Sequence, residues 1–247
     1  MSSFEQLQVD DVSRHFGRRR AVSHVTFTAP QRTIVGLLGP NGAGKSTMLA
    51  MLATLLRPTS GAIRYGTIDP RHHGASLRAS IGVLGHDLFL YPELTARENL
   101  EFFAGLYSVP DTRAAATEAL AHAGLAERAH DPVSTFSRGM RQRLALERAL
   151  IHTPKLLLLD EPFTGLDDAS GSALLARLRA LRDSGAIIVL ATHDLDLAGG
   201  LLDRAIFLRD GRMVDSAERP EGLRSLYRKV MSGQSDVGAG FSRLRDD

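Results

Sequence analysis

The chain has 247 residues, 43% of them hydrophobic, which supplies a buried core for one large domain or a core with a subdomain and excludes disorder over the whole length. It contains no cysteine, so a disulfide, a thiolate metal site and a cysteine nucleophile are excluded. Net charge is only +2, and the one dense basic run is "GRRR", with Arg18, Arg19 and Arg20. Elsewhere arginine is scattered among acids, so a solvated surface is expected rather than a nucleic-acid-binding stripe.

The amino terminus shows no apolar run after a charged start, and the longest apolar stretches fall far short of the ~18 residues of a spanning helix. A soluble, cytoplasmic chain is expected. Strand-like segments come first at Leu7–Val12, Val22–Phe27, Ile34–Leu38, Ala62–Tyr65 and Ile81–Leu84. From about 96 to 152, "ARENLEFFAGLYSV", "DTRAAATEALAHAGL" and "SRGMRQRLALERALIH" read as helices without a good strand. Strands resume at Leu156–Leu159, Ile187–Ala191 and Ala205–Leu208, and Asp210-Gly211 signals a hairpin turn. The alternation predicts an α/β fold with a largely parallel sheet and an inserted helical subdomain.

The most specific motif is "GPNGAGKST", comprising Gly39, Pro40, Asn41, Gly42, Ala43, Gly44, Lys45, Ser46 and Thr47. It matches G-x-x-x-x-G-K-[ST] between a strand and a helix, the setting of a phosphate loop. Glycines let the backbone wrap the anion while N–H groups and the helix N-terminus face it. Lys45 is expected to reach the β- and γ-phosphates of ATP, and the Ser46 hydroxyl to hold Mg²⁺.

In "LLLLDEP" a buried central strand ends in two carboxylates. Asp160 suits the Mg²⁺ shell, largely through water, and Glu161 suits a base that orients or deprotonates attacking water. "FSRGMRQR" opens a helix at Ser137, either as a simple N-cap or, with Gly139, as a second anion site. Two anion sites are excess for one triphosphate in one chain. Two chains arranged head to tail would use both.

With these motifs in order, residues 7–214 resemble the nucleotide-binding subunit of an ABC transporter. The resemblance implies a phosphate-loop core with an antiparallel β part, an ATPase with ATP and Mg²⁺ as cofactors, and an ATP-dependent head-to-tail homodimer. It implies a membrane permease partner and a peripheral place on the cytoplasmic face of the membrane, with no nucleic acid. It puts Phe16 where an aromatic stacks on adenine, core packing being the other reading. "FSRGM" stands for the family's L-S-G-G-Q, matched at Ser137 and Gly139 and departing at Phe136, Arg138 and Met140. "TGLD", ending in Asp167, matches the loop that reaches across the dimer, and His193 matches the switch histidine at the γ-phosphate.

The family ends the strand Ile81–Leu84 in a glutamine that touches Mg²⁺ and the attacking water. His86 holds that place here, with Asp87 beside it, and either a neutral imidazole or a carboxylate supplies an acceptor. The following loop, 86–92, is where the family docks a short helix of the permease. Docking accounts for Leu88, Phe89, Leu90 and Tyr91 arriving together before a proline, with one or two of them expected to fold back into the helical subdomain. Gly-His followed by "LYPELTARENLEFFAGLY", with "DEPFTGLD", is similar to ATPases of the cytochrome c maturation haem exporter, except that Asp87 stands where those have glutamine. Haem export is thus the specific expectation, and export of a drug, lipid or polysaccharide the alternative. ABC ATPases of translation or DNA repair fit poorly, since there is one cassette and no coiled-coil insertion.

The implied layout is a cassette over residues 1–216, with a helical subdomain at about 87–154, and a tail over 217–247. In "EGLRSLYRKVM" apolar residues recur at helical spacing, and packing on the subunit's own surface is favoured over a membrane-surface role. Disorder is expected after Ser232.

Overall fold

A computed structural model describes residues 4–68 and 72–233. The chain opens with β1 (Gln6–Phe16) and β2 (Arg19–Pro30), an antiparallel pair, followed by β3 (Thr33–Leu38). The phosphate loop leads into α1 (Lys45–Leu52), and then come β4 (Ser60–Tyr65), α2 (Gly74–Arg78) and β5 (Ile81–Leu84). Helices α3 (Ala96–Leu106), α4 (Thr112–His122) and α5 (Arg138–Leu150) follow without an intervening strand. The second half runs β6 (Leu156–Asp160), α6 (Asp168–Asp183), β7 (Ile187–Ala191), α7 (Leu195–Ala198), β8 (Arg204–Arg209), β9 (Arg212–Glu218) and α8 (Leu223–Met231). Every strand expected from the sequence is present.

Two sheets form. The smaller has the order β2-β1-β4, and the larger β5-β6-β7-β3-β8-β9. In the larger sheet β5, β6, β7, β3 and β8 pair in parallel, and only β9 returns antiparallel. "LLLL" of β6 and "IIVLA" of β7 are buried throughout because parallel strands are covered on both faces and so read as continuous apolar runs. Asp210 and Gly211 both take positive φ (51° and 77°), the backbone a two-residue hairpin needs between β8 and β9. Since the parallel strands share one direction, their carboxyl ends emerge together, and that is where α/β sheets bind ligands.

The three consecutive helices build a separate core from Leu100, Leu120, Leu125, Val133, Phe136 and Leu144. Each start is capped. Thr95 and Glu98 form a capping box on α3, and Asp111 and Ser137 accept from the first turns of α4 and α5. At the other end of the chain, α8 buries Leu223 and Val230 in the core cluster that holds Phe207 of β8, with Leu226, Tyr227 and Met231 packed against it. The apolar stripe read from the sequence is therefore self-packing. Residues 234–247, where disorder is expected, lie outside the described residues.

Candidate nucleotide site and the adjoining apolar loop

Between β3 and α1 the loop turns through Gly42 and Gly44 with φ of 82° and 102°, values open to glycine at no steric cost. A Cβ on Gly44 would strike the Ala21 carbonyl, so this position needs glycine for space as well. Helix α1 starts with no side-chain cap, leaving its first N–H groups available to an anion. Lys45 is buried, and its Nζ donates to the carbonyls of Gly39 (2.7 Å) and Pro40 (3.2 Å). Burial lowers its pKa, while Glu161 and Asp160 act in the opposite sense.

Those carboxylates face the same cavity of about 340 Å³. Its walls combine Asn41 to Thr47 with Asp160 and Glu161 from the end of β6, His86 from beyond β5, and Arg19 and Ala21 from β2. Segments distant in sequence thus converge where adjacent parallel strands end. His86, rather than Asp87, is the member of that pair on the cavity wall.

Glu161 takes φ of 51°, a left-handed backbone uncommon for residues other than glycine and often found at functional positions. Its N–H donates to Ala191 O (2.8 Å) at the end of β7, which holds the strained turn in place. Its Oε2 accepts from the His193 backbone N–H (3.2 Å) and meets His193 Nδ1 at 2.8 Å. His193 is otherwise largely exposed, so its ring is free to exchange that partner.

Ser137, Gly139 and Asp167 do not line this cavity. Ser137 Oγ accepts from Met140 N–H (3.3 Å), and Asp167 Oδ1 accepts from Ser170 N–H (2.8 Å), which holds the Asp167 carboxyl below its usual range. A Cβ on Gly139 would sit 2.7 Å from the Gly165 carbonyl, so the start of α5 and the "TGLD" turn are packed together. The residues expected to form a second anion site therefore cluster apart from the phosphate loop of their own chain. Phe16 is 48% exposed with the Arg14 guanidinium 4.6 Å from its ring, and the core-packing reading fails. It pairs across the hairpin with Arg19, which reaches the cavity. Arg19 is exposed, as a solvated surface requires, but its place at the cavity was not expected, because residue type alone does not show which strand end faces a pocket.

The apolar loop splits in two. Leu88 and Leu90 turn inward and pack against buried core residues, so Leu90 does not belong to an exposed socket. Phe89 (55% exposed), whose backbone is left-handed at φ of 50°, and Tyr91 (45%) stay outside, alternating with the leucines. Tyr91 lies edge-on to Phe102 (5.1 Å) and stacks near Phe103 (6.2 Å), and exposed Phe102 and Leu106 extend the patch along α3. Buried Asn99 holds the loop here, accepting from Tyr91 N–H (2.8 Å) and donating to Tyr91 O (2.9 Å).

The ABC transporter family model matches residues 22–164, a span that contains the phosphate loop, Ser137, Asp160 and Glu161. The chain belongs to the ABC transporter family. As such a cassette it is an ATP-binding and ATP-hydrolysing transporter subunit. It is 35% identical to the linearmycin resistance ATP-binding protein LnrL of Bacillus subtilis, covering 84% of this chain and 68% of that one. It is 36% identical to the daunorubicin/doxorubicin resistance ATP-binding protein DrrA of Streptomyces peucetius, over 91% of this chain and 69% of that protein. The solved ATP-binding subunit of an ABC transporter superposes with a TM-score of 0.84 at 30% identity, covering 91% of this chain and 99% of that one. A dimeric ATP-binding cassette bound to ADP and Pi gives 0.78 at 27% identity, covering 87% and 99%. LnrL and DrrA are named as resistance proteins, and the expectation of haem export finds no support in them.

In this ABC cassette two buried charged residues of α5 also escaped sequence reasoning. Glu147 pairs with Arg177 of α6 (2.8 Å), and burial pushes its carboxyl up to about 7. Arg148 is 6% exposed and donates to Val83 O on β5 (2.6 Å). Both sit in "LALERAL", where the helical pattern shows an amphipathic stripe but gives no sign that charged positions face inward. No described helix is long and apolar enough to cross a membrane.

Proposed function

We propose that this cassette hydrolyses ATP to drive export of a drug or antibiotic through a separate membrane permease. The observation that carries the ATPase chemistry is the convergence of Lys45, Ser46, His86, Asp160 and Glu161 on one cavity. The drug class is supported by the resistance relatives. Haem export gives way to it for a physical reason as well. The stretch "LYPELTARENLEFFAGLY" is occupied with capping α3, holding the loop through Asn99 and forming the aromatic patch, work that any cargo would require.

The residues take the following parts. Lys45 leaves the loop carbonyls for the β- and γ-phosphates, joined by the unpaired N–H groups of α1. Ser46 and Asp160 offer hard oxygen donors at one wall, a set that suits Mg²⁺. When bound, that ion neutralises charge on the phosphates. Glu161 orients the attacking water and takes its proton, and His193, now on Glu161, turns toward the γ-phosphate. His86 accepts from the same water in place of a glutamine amide. Phe16 stacks on adenine. Ser137, Gly139 and Asp167 of a second copy close on the nucleotide, which gives the head-to-tail dimer. Phe89, Tyr91, Phe102 and Leu106 receive an apolar helix of the permease, and this seats the cassette peripherally at the cytoplasmic face. The cassette extends past the expected boundary at 216, because β9 runs on to Glu218 and α8 packs into the core beside Phe207, and 87–154 act as its helical arm.

The test is coexpression with the cognate permease in a drug-sensitive strain. Resistance to an anthracycline or a fluoroquinolone should rise severalfold, and Lys45→Ala should abolish the gain. Unchanged drug sensitivity together with impaired assembly of c-type cytochromes in a deletion strain would restore the haem reading.

A further inference from the structure

Strand β5 is an edge of the six-stranded sheet, and the carbonyls on its outer side have no strand to accept from. The last turn of α5 and the residues just after it supply the partners. Arg148 Nη2 donates to Val83 O (2.6 Å), and His152 Nε2 lies 3.1 Å from Ile81 O. Between them, a Cβ on Gly82 would strike the Ala149 carbonyl, so helix and strand are in backbone contact.

Arg148 reaches further than an edge cover requires. Its guanidinium lies over the rings of Phe103 (5.1 Å) and Phe89 (5.7 Å), the latter one of the exposed aromatics. It is buried, its Nε makes no hydrogen bond, and no carboxylate pairs with it among the described residues. A buried cation so placed is costly, and ring contacts offset only part of that cost. Methionine or leucine would fill the volume without the penalty. What they could not do is touch three elements at once. Val83 precedes His86 by three residues, Phe89 belongs to the apolar loop, and α5 carries Ser137 at its other end.

We propose that Arg148 is a positioning residue that couples the exposed aromatic face to the nucleotide cavity, so that pressure on Phe89 and Tyr91 is felt at His86 and at Ser137. This rests on the docking reading above. The planar fork allows the coupling, because a guanidinium stacked on two rings and bonded to a carbonyl cannot shift relative to one without dragging the other. A ring pushed from outside moves the guanidinium, and the guanidinium moves the end of β5.

The experiment compares the reconstituted complex of cassette and permease with the isolated cassette for three variants. Arg148→Met removes the fork, Arg148→Lys keeps the charge alone, and Phe103→Leu removes one ring while leaving the arginine. In Arg148→Met and Phe103→Leu the permease-stimulated kcat should fall roughly threefold to tenfold, with KM for ATP and copurification with the permease unchanged. Arg148→Lys should recover little, since a point charge does not reproduce the fork. A stimulated kcat at the wild-type value in Phe103→Leu, or in a folded Arg148→Met, overturns the proposal. Phe89→Ser/Tyr91→Ser tests the docking reading separately. Full copurification of that variant removes docking, whereas its loss alongside normal stimulation in Phe103→Leu overturns Arg148 coupling alone.

Discussion

Strands β5 and β6 lie side by side and both deliver a residue to the nucleotide cavity, yet they are held by different means. Strand β6 is central, laddered to β5 on one side and β7 on the other, and its four leucines are buried. Its end is fixed by main chain, down to the bond from Glu161 N–H to Ala191 O. Strand β5 is laddered on one side only, and Arg148 of α5 with His152 just beyond it does the work of the missing neighbour. The difference teaches a division of labour. Asp160 and Glu161 leave the strand held by main chain on both sides, whereas His86 follows the strand whose outer edge is held by side chains, Arg148 among them.

The largest effect expected lies at the end of β6. Glu161→Gln should lower the hydrolysis rate by about 10²–10⁴-fold, the usual contribution of a positioned base. The same variant should form a dimer with ATP and Mg²⁺ in sizing experiments, because the nucleotide persists between two half-sites. A monomer with ATP would break the head-to-tail scheme. His86→Gln at the end of β5, by contrast, should keep substantial turnover.

Next come the strands themselves. Leu158→Ala on β6 removes a fully buried side chain and should cost about 2–5 kcal/mol in urea unfolding. Val83→Ala on β5 removes less apolar volume from a partly buried position and should cost about 1 kcal/mol. Equal losses would mean that the edge strand is as deeply fixed as the central one.

A pH dependence is expected from the cover on β5. Burial depresses the His152 pKa to about 4, and its ring is stacked on Tyr107 at 3.7 Å. With the folded value below the unfolded ~6.5, the unfolded chain binds the proton first as pH falls. Stability from this group is therefore present above about 6.5 and lost progressively toward 4, by up to about 3 kcal/mol. His152→Phe should flatten that slope between pH 7 and pH 5. Glu147 runs the other way. Its carboxyl, pushed up to about 7, favours the fold most at low pH and loses that contribution as pH rises through 7. Glu147→Gln should leave the His152 slope steeper.

The smallest stability effect is expected in the loop beyond β5. Phe89→Ser/Tyr91→Ser should change unfolding free energy by about 1 kcal/mol or less, since both side chains are substantially exposed, while copurification with the permease falls. Leu90→Ser should show the reverse, a clear loss of stability, because Leu90 packs against two core clusters.

Much of this protein is determined locally and was legible in the sequence. "GPNGAGKST" specifies its own backbone, since glycine takes φ of 82° and 102° at residues 42 and 44 without steric cost and the helix start that follows offers free N–H groups. "LLLLDEP" announces a buried strand with carboxylates at its exit, and Asp210-Gly211 a hairpin, because burial and turn geometry act over a few residues. Tertiary structure decided the rest. Which of Leu88, Phe89, Leu90 and Tyr91 face out depended on where α3 and α5 pack, and that is set by residues far along the chain. That Arg19 reaches the cavity follows from how the smaller sheet sits beside the phosphate loop, and that Arg148 covers β5 follows from β5 being an edge of the larger sheet. An arginine on a helix carries no local mark of such a role. Its partners are a carbonyl and two rings from other elements, brought within reach only by the closed fold.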